Sequence, residues 1–378
     1  MIPPRSRPAC LVRARELLHP STEKNERFSH LADISRILGM RTEHVEIVLQ
    51  SLQPGTRSSP PYARSHRDEI YYFLTGHGRV WLDGETFSIG PHDCVGFPAG
   101  KGLAHTFIND GEATEDLVFI VFRDNGIEDA LYYPLGKGSK SGTTDPLIGP
   151  WNDPPPRSLG LHDGWPSKPR TEAQGSHTNG ENDTTVNGHI DLPAPSSERK
   201  PNPPIQSFQW HPSILFVPVL AFPNPGRSGA DYSDVAPLSA LLGLSGRFSV
   251  QYQVLPPGTR SSQPRAHSKA DQLFYVIRGK GKLWLDGDIH EVEEGDCAAF
   301  VHGTGISHTF INDEEHDEDE LILLTFSENI DDDQIYYPLR TDAHEKEKIS
   351  EDDFTWWEGA PKRQLSSHDG MPLHPRSE

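Results

Sequence analysis

PGTRSSPPYARSHRDEIYYFLTGHGRVWLDG occupies residues 54–84, and PGTRSSQPRAHSKADQLFYVIRGKGKLWLDG occupies residues 257–287. The match continues through DCVGFPAGKGLAHTFIND at 93–110 and DCAAFVHGTGISHTFIND at 296–313. At a constant offset of 203, without a gap, 28 of 57 positions are identical. A repeat of this length is two copies of one domain, not the short units of a solenoid.

The repeat reaches further on both sides. Residues 29–39 (SHLADISRILG) parallel 233–243 (SDVAPLSALLG), and Tyr132-Tyr133-Pro134-Leu135 parallels Tyr336-Tyr337-Pro338-Leu339. Trp151, Pro155, Arg157, Leu159 and His162-Asp163-Gly164 recur as Trp357, Pro361, Arg363, Leu365 and His368-Asp369-Gly370. Two domains are therefore expected, at 10–164 and 207–370. The stretch 165–206 between them is polar and rich in Pro, Gly, Asn and Ser, and it has no hydrophobic period. It is predicted to be a disordered linker, because it cannot bury enough apolar surface to offset its ordering entropy.

Within one unit the pattern is strand after strand. Residues 70–75 form a β-branched and aromatic run, 79–83 follow, and Asp83-Gly84 is a hairpin turn signal. Runs at 85–89, 94–98, 105–109 and 117–122 come at intervals of roughly 8–12 residues, the spacing of a sandwich or barrel. Only short pieces near 31–38 and its mate suggest a helix. The predicted fold is all-β: two tandem antiparallel jelly-roll barrels joined by a disordered linker, an arrangement that leaves few exposed edges.

The formal charge of −20 argues against nucleic acid and against an anionic membrane surface as partners. No apolar run is long enough to span a membrane. Three cysteines make no disulfide framework. Cys94 and Cys297 hold equivalent places in apolar strands and are expected as buried thiols. Arg5, Arg7, Arg13 and Arg15 before the first acid only faintly suggest a presequence, so a cytoplasmic protein is expected. Monomer and homodimer both suit the sequence.

The succession of PGTRSS, a polar motif, an aromatic strand ending in Gly-x-Gly, an Asp-Gly turn and His-Thr-Phe-Ile-Asn resembles the cupin superfamily. Duplicated, it resembles a bicupin. In that family the first motif supplies two histidines one residue apart and a glutamate about five further on, and the second motif a third histidine. Residues i and i+2 of a strand share a face, so both imidazoles can reach one ion inside the barrel.

Carried over position by position, the resemblance puts Arg265, His267, Gln272 and His308 at the ligand positions of repeat 2. It puts Tyr62, Arg64, Glu69 and His105 at those of repeat 1. Neither copy keeps the full set. His66 could stand in only through a slip of register, and Arg64 with Glu69 could form an ion pair where the metal would lie.

Three readings stay open. In the first, one divalent transition metal (Fe, Mn, Zn, Cu or Ni) sits on His267, Gln272 and His308. Arg265 then clamps the carboxylate of a small organic acid or aromatic compound. Arg265 and His308 are the candidate catalytic residues, for an oxygenase (dioxygenase-like), decarboxylase or isomerase. In the second reading, Arg265 and His308 bind an anionic ligand without metal or act as acid and base. The third is a structural or interaction protein with filled barrels.

Several features carry structural expectations. Phe107 and Asn109, like Phe310 and Asn312, share a face with the late histidine. Trp81 and Trp284 are expected to pack, and the acidic run 313–320 lacks calcium-loop spacing. The His-Asp-Gly tails are expected to cross the outside of each unit.

Overall fold

The computed structural model describes residues 7–21, 27–41, 44–125, 128–136, 148–170, 217–218, 222–223, 229–244, 246–313, 320–340 and 355–376. The predicted linker from 171 to 206, and 314–319 of the acidic run, lie outside the described residues.

Each unit pairs a seven-stranded sheet with a four-stranded one and adds a three-stranded flap. In repeat 1 the large sheet runs Asp93–Phe97, Glu69–Thr75, Leu117–Asp124, Val45–Leu52, Ser29–Asp33, with short edge strands beyond. The facing sheet runs Thr56–Arg57, His105–Asn109, Gly78–Leu82, Glu85–Ile89. Repeat 2 repeats both orders. The chain is all-β with two jelly-roll units, as expected; among the described residues each is two facing sheets rather than one hydrogen-bonded ring. The only α-helices there are the four-residue pieces Ile34–Ile37 and Leu238–Leu241.

The central strand Glu69–Thr75 explains why its sequence is apolar on both faces. Tyr71 and Phe73 point into the unit, packing with Phe97, Phe107 and Phe119. Ile70, Tyr72 and Leu74 point outward, into a second core shared with Leu273, Tyr275, Ile277, Leu324 and Phe326 of repeat 2. A strand covered on both sides has no solvent face to mark with polar residues. Phe122 stacks on Phe326 across this shared core, ring centroids 5.9 Å apart.

Short arms cross between the units. Leu11–Arg13 pairs with Asp296–Phe300 of repeat 2, and Val217–Pro218 pairs with Asp93–Phe97 of repeat 1. Ion pairs tie down the first arm, Arg7 to Asp296 at 2.8 Å and Arg13 to Glu293. Past 164 the chain stays bonded to repeat 1: Ser167 N donates to Asp110 Oδ1 (2.7 Å) and Arg170 N to the Gly55 carbonyl (2.8 Å). Edge strands of two or three residues such as the arms carry no periodic signal in the sequence.

The tails are straps on the outside, as expected. Gly160 N donates to Asp83 O (2.6 Å) and His162 N to Gly84 O (2.9 Å), and Ser366 and His368 repeat both contacts on Asp286 and Gly287. A Cβ on Gly84 (φ +92°) would lie 2.3 Å from Gly160 N, so the strap's close approach requires glycine there. Trp81 Nε1 donates to His162 O (2.7 Å) and Arg57 Nη1 to Gly164 O (2.8 Å). Trp284 and Arg260 do the same to His368 and Gly370. The recurrence of PGTRSS, WLDG and His-Asp-Gly is thus a structural requirement.

Candidate ligand site

The interior ends of the two units are built on one frame and filled differently. In both, the late histidine starts its strand and stacks on a phenylalanine. His105 lies on Phe97 and His308 on Phe300, each at 3.5 Å between centroids and nearly parallel. The residue at the first-histidine position bridges directly to it, Tyr62 to His105 and Arg265 to His308. A cross-strand row then runs Glu46–Arg123–Glu69 in repeat 1 and Ser249–Ser327–Gln272 in repeat 2.

Repeat 1 is closed by its own charges. Glu69 Oε1 accepts from Tyr62 OH (2.8 Å), Tyr71 OH (3.2 Å) and Arg123 Nε (2.8 Å), and Arg64 Nε lies 3.1 Å away. His105 Nε2 lies 3.2 Å from Glu69 Oε2. Arg64 also donates to Asp129 (2.7 Å), and Arg123 pairs with Glu46 at 3.0 Å. Burial alone would raise the Glu69 pKa, but Arg64, the hydrogen bond from His105 and Arg123 hold it well below the usual carboxylate range. Tyr62 is pushed up to about 12 by burial and by Glu69. His66 is exposed and bonded to Ser65, outside this cluster.

Repeat 2 strips these charges away. Gln272 replaces Glu69, Phe274 replaces Tyr71 and Ser327 replaces Arg123, while Arg265 and His267 stand for Tyr62 and Arg64. His308 Nε2 lies 3.0 Å from Gln272 Oε1. His267 Nδ1 lies 2.5 Å from Asp333 Oδ2, so the carboxylate accepts and the proton sits on Nδ1. Burial lowers the pKa of His308 well below the ordinary value, and nearby His267 and Arg265 lower it further. His308 is therefore a neutral hydrogen-bonding group. Asp333 would be raised by burial, yet its hydrogen bond from His267 and those from Lys269 and Ser268 bring it to about 2.

Arg265 is half-buried beside these histidines. Among the described residues no acid pairs with its guanidinium. The repeat 1 position holds an uncharged phenol instead. Asp333, the carboxylate on neighbouring His267, is already taken by His267, Ser268 and the backbone of Lys269. This end of repeat 2 thus carries a positive charge that no acid among the described residues pairs with.

The structure brings Arg265, His267, Gln272 and His308 to one end of repeat 2, beside Asp333, which the sequence reading did not single out; nor did it single out Arg123 in repeat 1. Asp333 had a signal: like Asp129, it stands three residues ahead of the Tyr-Tyr pair in both copies. Phe107 and Phe310 fill the cores, and Asn109 and Asn312 donate to the Leu52 and Leu255 carbonyls at 2.8 Å. Cys94 and Cys297 are free and buried.

Donor chemistry bears on the metal that the family resemblance implies. In repeat 1 two guanidinium groups sit on Glu69, the carboxylate at a family ligand position, so charge and existing hydrogen bonds oppose a cation. In repeat 2 the donors are two imidazoles and an amide, all neutral, with Arg265 adding positive charge beside them. Among the described residues no group of three His, Cys, Asp or Glu side chains is placed to hold a metal. Neither copy offers a complete donor set. No helix among those residues is long and apolar enough to cross a membrane.

Comparison with known proteins finds the family described as "Cupin domain" at residues 48–122 and again at 251–324. No protein of curated function matches. Similar solved structures include a cupin 2 conserved barrel domain protein from Leptotrichia buccalis (13% identity, 86% of this chain and 99% of that one, TM-score 0.43). Others are an oxalate decarboxylase variant of Bacillus subtilis (14%, 94% and 89%, TM-score 0.46) and a salicylate 1,2-dioxygenase variant of Pseudoaminobacter salicylatoxidans with gentisate (14%, 83% and 78%, TM-score 0.47). At such values none of them carries a substrate or a metal over to this chain. The two matched regions coincide with the two copies of the sheet pair: the chain carries two cupin domains in tandem, as a duplicated cupin does.

Proposed function

We propose that the chain binds a small organic acid in repeat 2, with Arg265 as the anchor for its carboxylate and repeat 1 as the structural partner. The observation that carries this reading is the position of Arg265, half-buried and bridged to His308, with no acid among the described residues paired to it. A guanidinium offers two parallel donors to a carboxylate, which makes an anion its natural partner. Neutral His308 and the Gln272 amide supply hydrogen bonds near the anchored group without competing for its charge.

Melting curves with acetate and with benzoate test the reading. A ligand at 100 times its Kd adds about 2.7 kcal/mol to stability, so one of these acids should raise the melting temperature of the wild type by several degrees. Arg265→Leu should erase the rise. An equal rise in Arg265→Leu, or none in the wild type with either acid, sinks the proposal.

A second reading keeps one divalent transition metal on His267, Gln272 and His308. The 3.0 Å between His308 Nε2 and Gln272 Oε1 favours it, because two ligands at about 2.1 Å and right angles on one ion lie about 3 Å apart. The neutral donors and Arg265 weigh against it. Metal analysis of protein purified without chelator decides: the first reading expects well under one equivalent per chain. One full equivalent, lost in His308→Ala and kept in His105→Ala, establishes the second.

A further inference from the structure

The two units share more than a core, because each extends an arginine to the turn that spaces the other's motif residues. In repeat 1, Arg41 N donates to Asp271 Oδ2 (2.8 Å), and Arg41 Nη2 donates to Glu328 Oε2 (2.6 Å) and to the Lys269 carbonyl. His44 Nδ1 lies 3.2 Å from Glu328 Oε1. Asp271 directly precedes Gln272, Glu328 directly follows Ser327, and 268–271 is the turn between His267 and Gln272. Asp333 holds the same turn from its other side, accepting from Lys269 N (2.8 Å) and Ala270 N (3.3 Å) while it accepts from His267. Asp271 in addition accepts from His302 N at 2.8 Å, which anchors the loop leading to His308.

Repeat 2 returns the contact. Arg247 Nη1 donates to the His66 carbonyl (3.3 Å) and pairs with Asp124. His66 and Asp124 occupy in repeat 1 the places of Lys269 and Glu328 in repeat 2. Arg247 thus braces the repeat 1 turn, whose motif residues are locked in the Glu69 cluster. Arg41 braces the turn whose ends are His267 and Gln272.

We propose that Arg41 is a positioning residue for the repeat 2 ligand site, setting the spacing of His267 and Gln272 from the neighbouring unit. This rests on the reading of repeat 2 as the acid-binding copy. The guanidinium is tied to a carboxylate and a carbonyl on two different segments, so its loss releases the turn and the end of the Leu321–Glu328 strand together.

The experiment compares Arg41→Ala with Arg247→Ala in the full chain, with Arg41→Lys as a milder variant. Each alanine removes one cross-unit brace of the same kind, so both should lower the melting temperature similarly. Benzoate affinity is measured by calorimetry, and the ring resonances of the histidines by NMR of the ligand-free protein. Arg41→Ala should weaken benzoate about tenfold, within the range of coupling through packed networks, and should move the His267 and His308 resonances. Arg247→Ala should leave both readouts unchanged, and Arg41→Lys should recover part of the affinity. Equal effects of the two alanines, or unmoved His267 and His308 rings in Arg41→Ala, overturn the proposal. If the wild type binds neither acid, the small-acid reading fails, while the ring resonances still test Arg41.

Discussion

Glu69→Gln should lower the unfolding free energy by about 3–5 kcal/mol, the usual cost of removing one partner from a buried ion pair. Arg64 and Arg123 both point at this carboxylate, and Tyr62 and Tyr71 donate to it. An amide leaves two guanidinium groups without their shared counter-charge and offers its own N–H groups to donors. Gln272→Leu at the matching position removes one neutral hydrogen bond and should cost about 1 kcal/mol. Urea unfolding at pH 7 compares the two, and equal small losses would show that the cluster contributes nothing. The difference should also depend on pH. The Glu69 pKa is depressed on folding, so its contribution is full above the unfolded value of about 4.3 and is lost as pH falls toward the folded value. The gap between wild type and Glu69→Gln should therefore narrow in acid.

Cutting the segment between 171 and 206 should leave the two halves bound to each other. Protease is expected to enter there, because the stretch is polar and rich in Pro and Gly. The nicked protein should elute at the size of the intact chain and separate only in denaturant. The reason is the shared core, in which Ile70, Tyr72, Ile120 and Phe122 pack with Leu273, Tyr275, Leu324 and Phe326. Full burial of each such side chain contributes roughly 1.5–3 kcal/mol. The crossed arms and the Arg41 and Arg247 braces add to this. Two species of half size after nicking, each folded, would refute the shared core. Repeat 2 expressed alone should be poorly soluble, since it would expose Leu273, Tyr275 and Leu324.

Much of this was legible in the sequence, and what was not has a physical explanation. The duplication and the strand succession could be read because turn residues and alternating patterns are local. Glycines at Gly-x-Gly and Asp-Gly mark positions where neighbours approach too closely for a side chain, so they persisted in both copies. The site was legible in part. The four ligand positions of each unit converge because they lie on strands whose faces the repeat fixes. Arg123 was missed because its role depends on which strand lies beside Glu69–Thr75, and no motif records that pairing. The crossed arms were missed for the same reason: Leu11–Arg13 pairs with a strand 285 positions further on, Val12 opposite Cys297, and nothing nearby in the sequence announces it.

The reciprocal arms and braces have the form of a contact between two identical subunits around a twofold axis. In such a dimer one coding sequence serves both sides, so any substitution that fills one interior fills the other. A single chain carrying both copies is released from that tie. One copy could exchange its donors for the Tyr62, Arg64, Glu69 and Arg123 cluster and become a rigid base. The other can hold His267 and His308 beside a cation that no acid among the described residues pairs with. The covalent joining of the copies is thus what allows one scaffold to hold two unequal interiors.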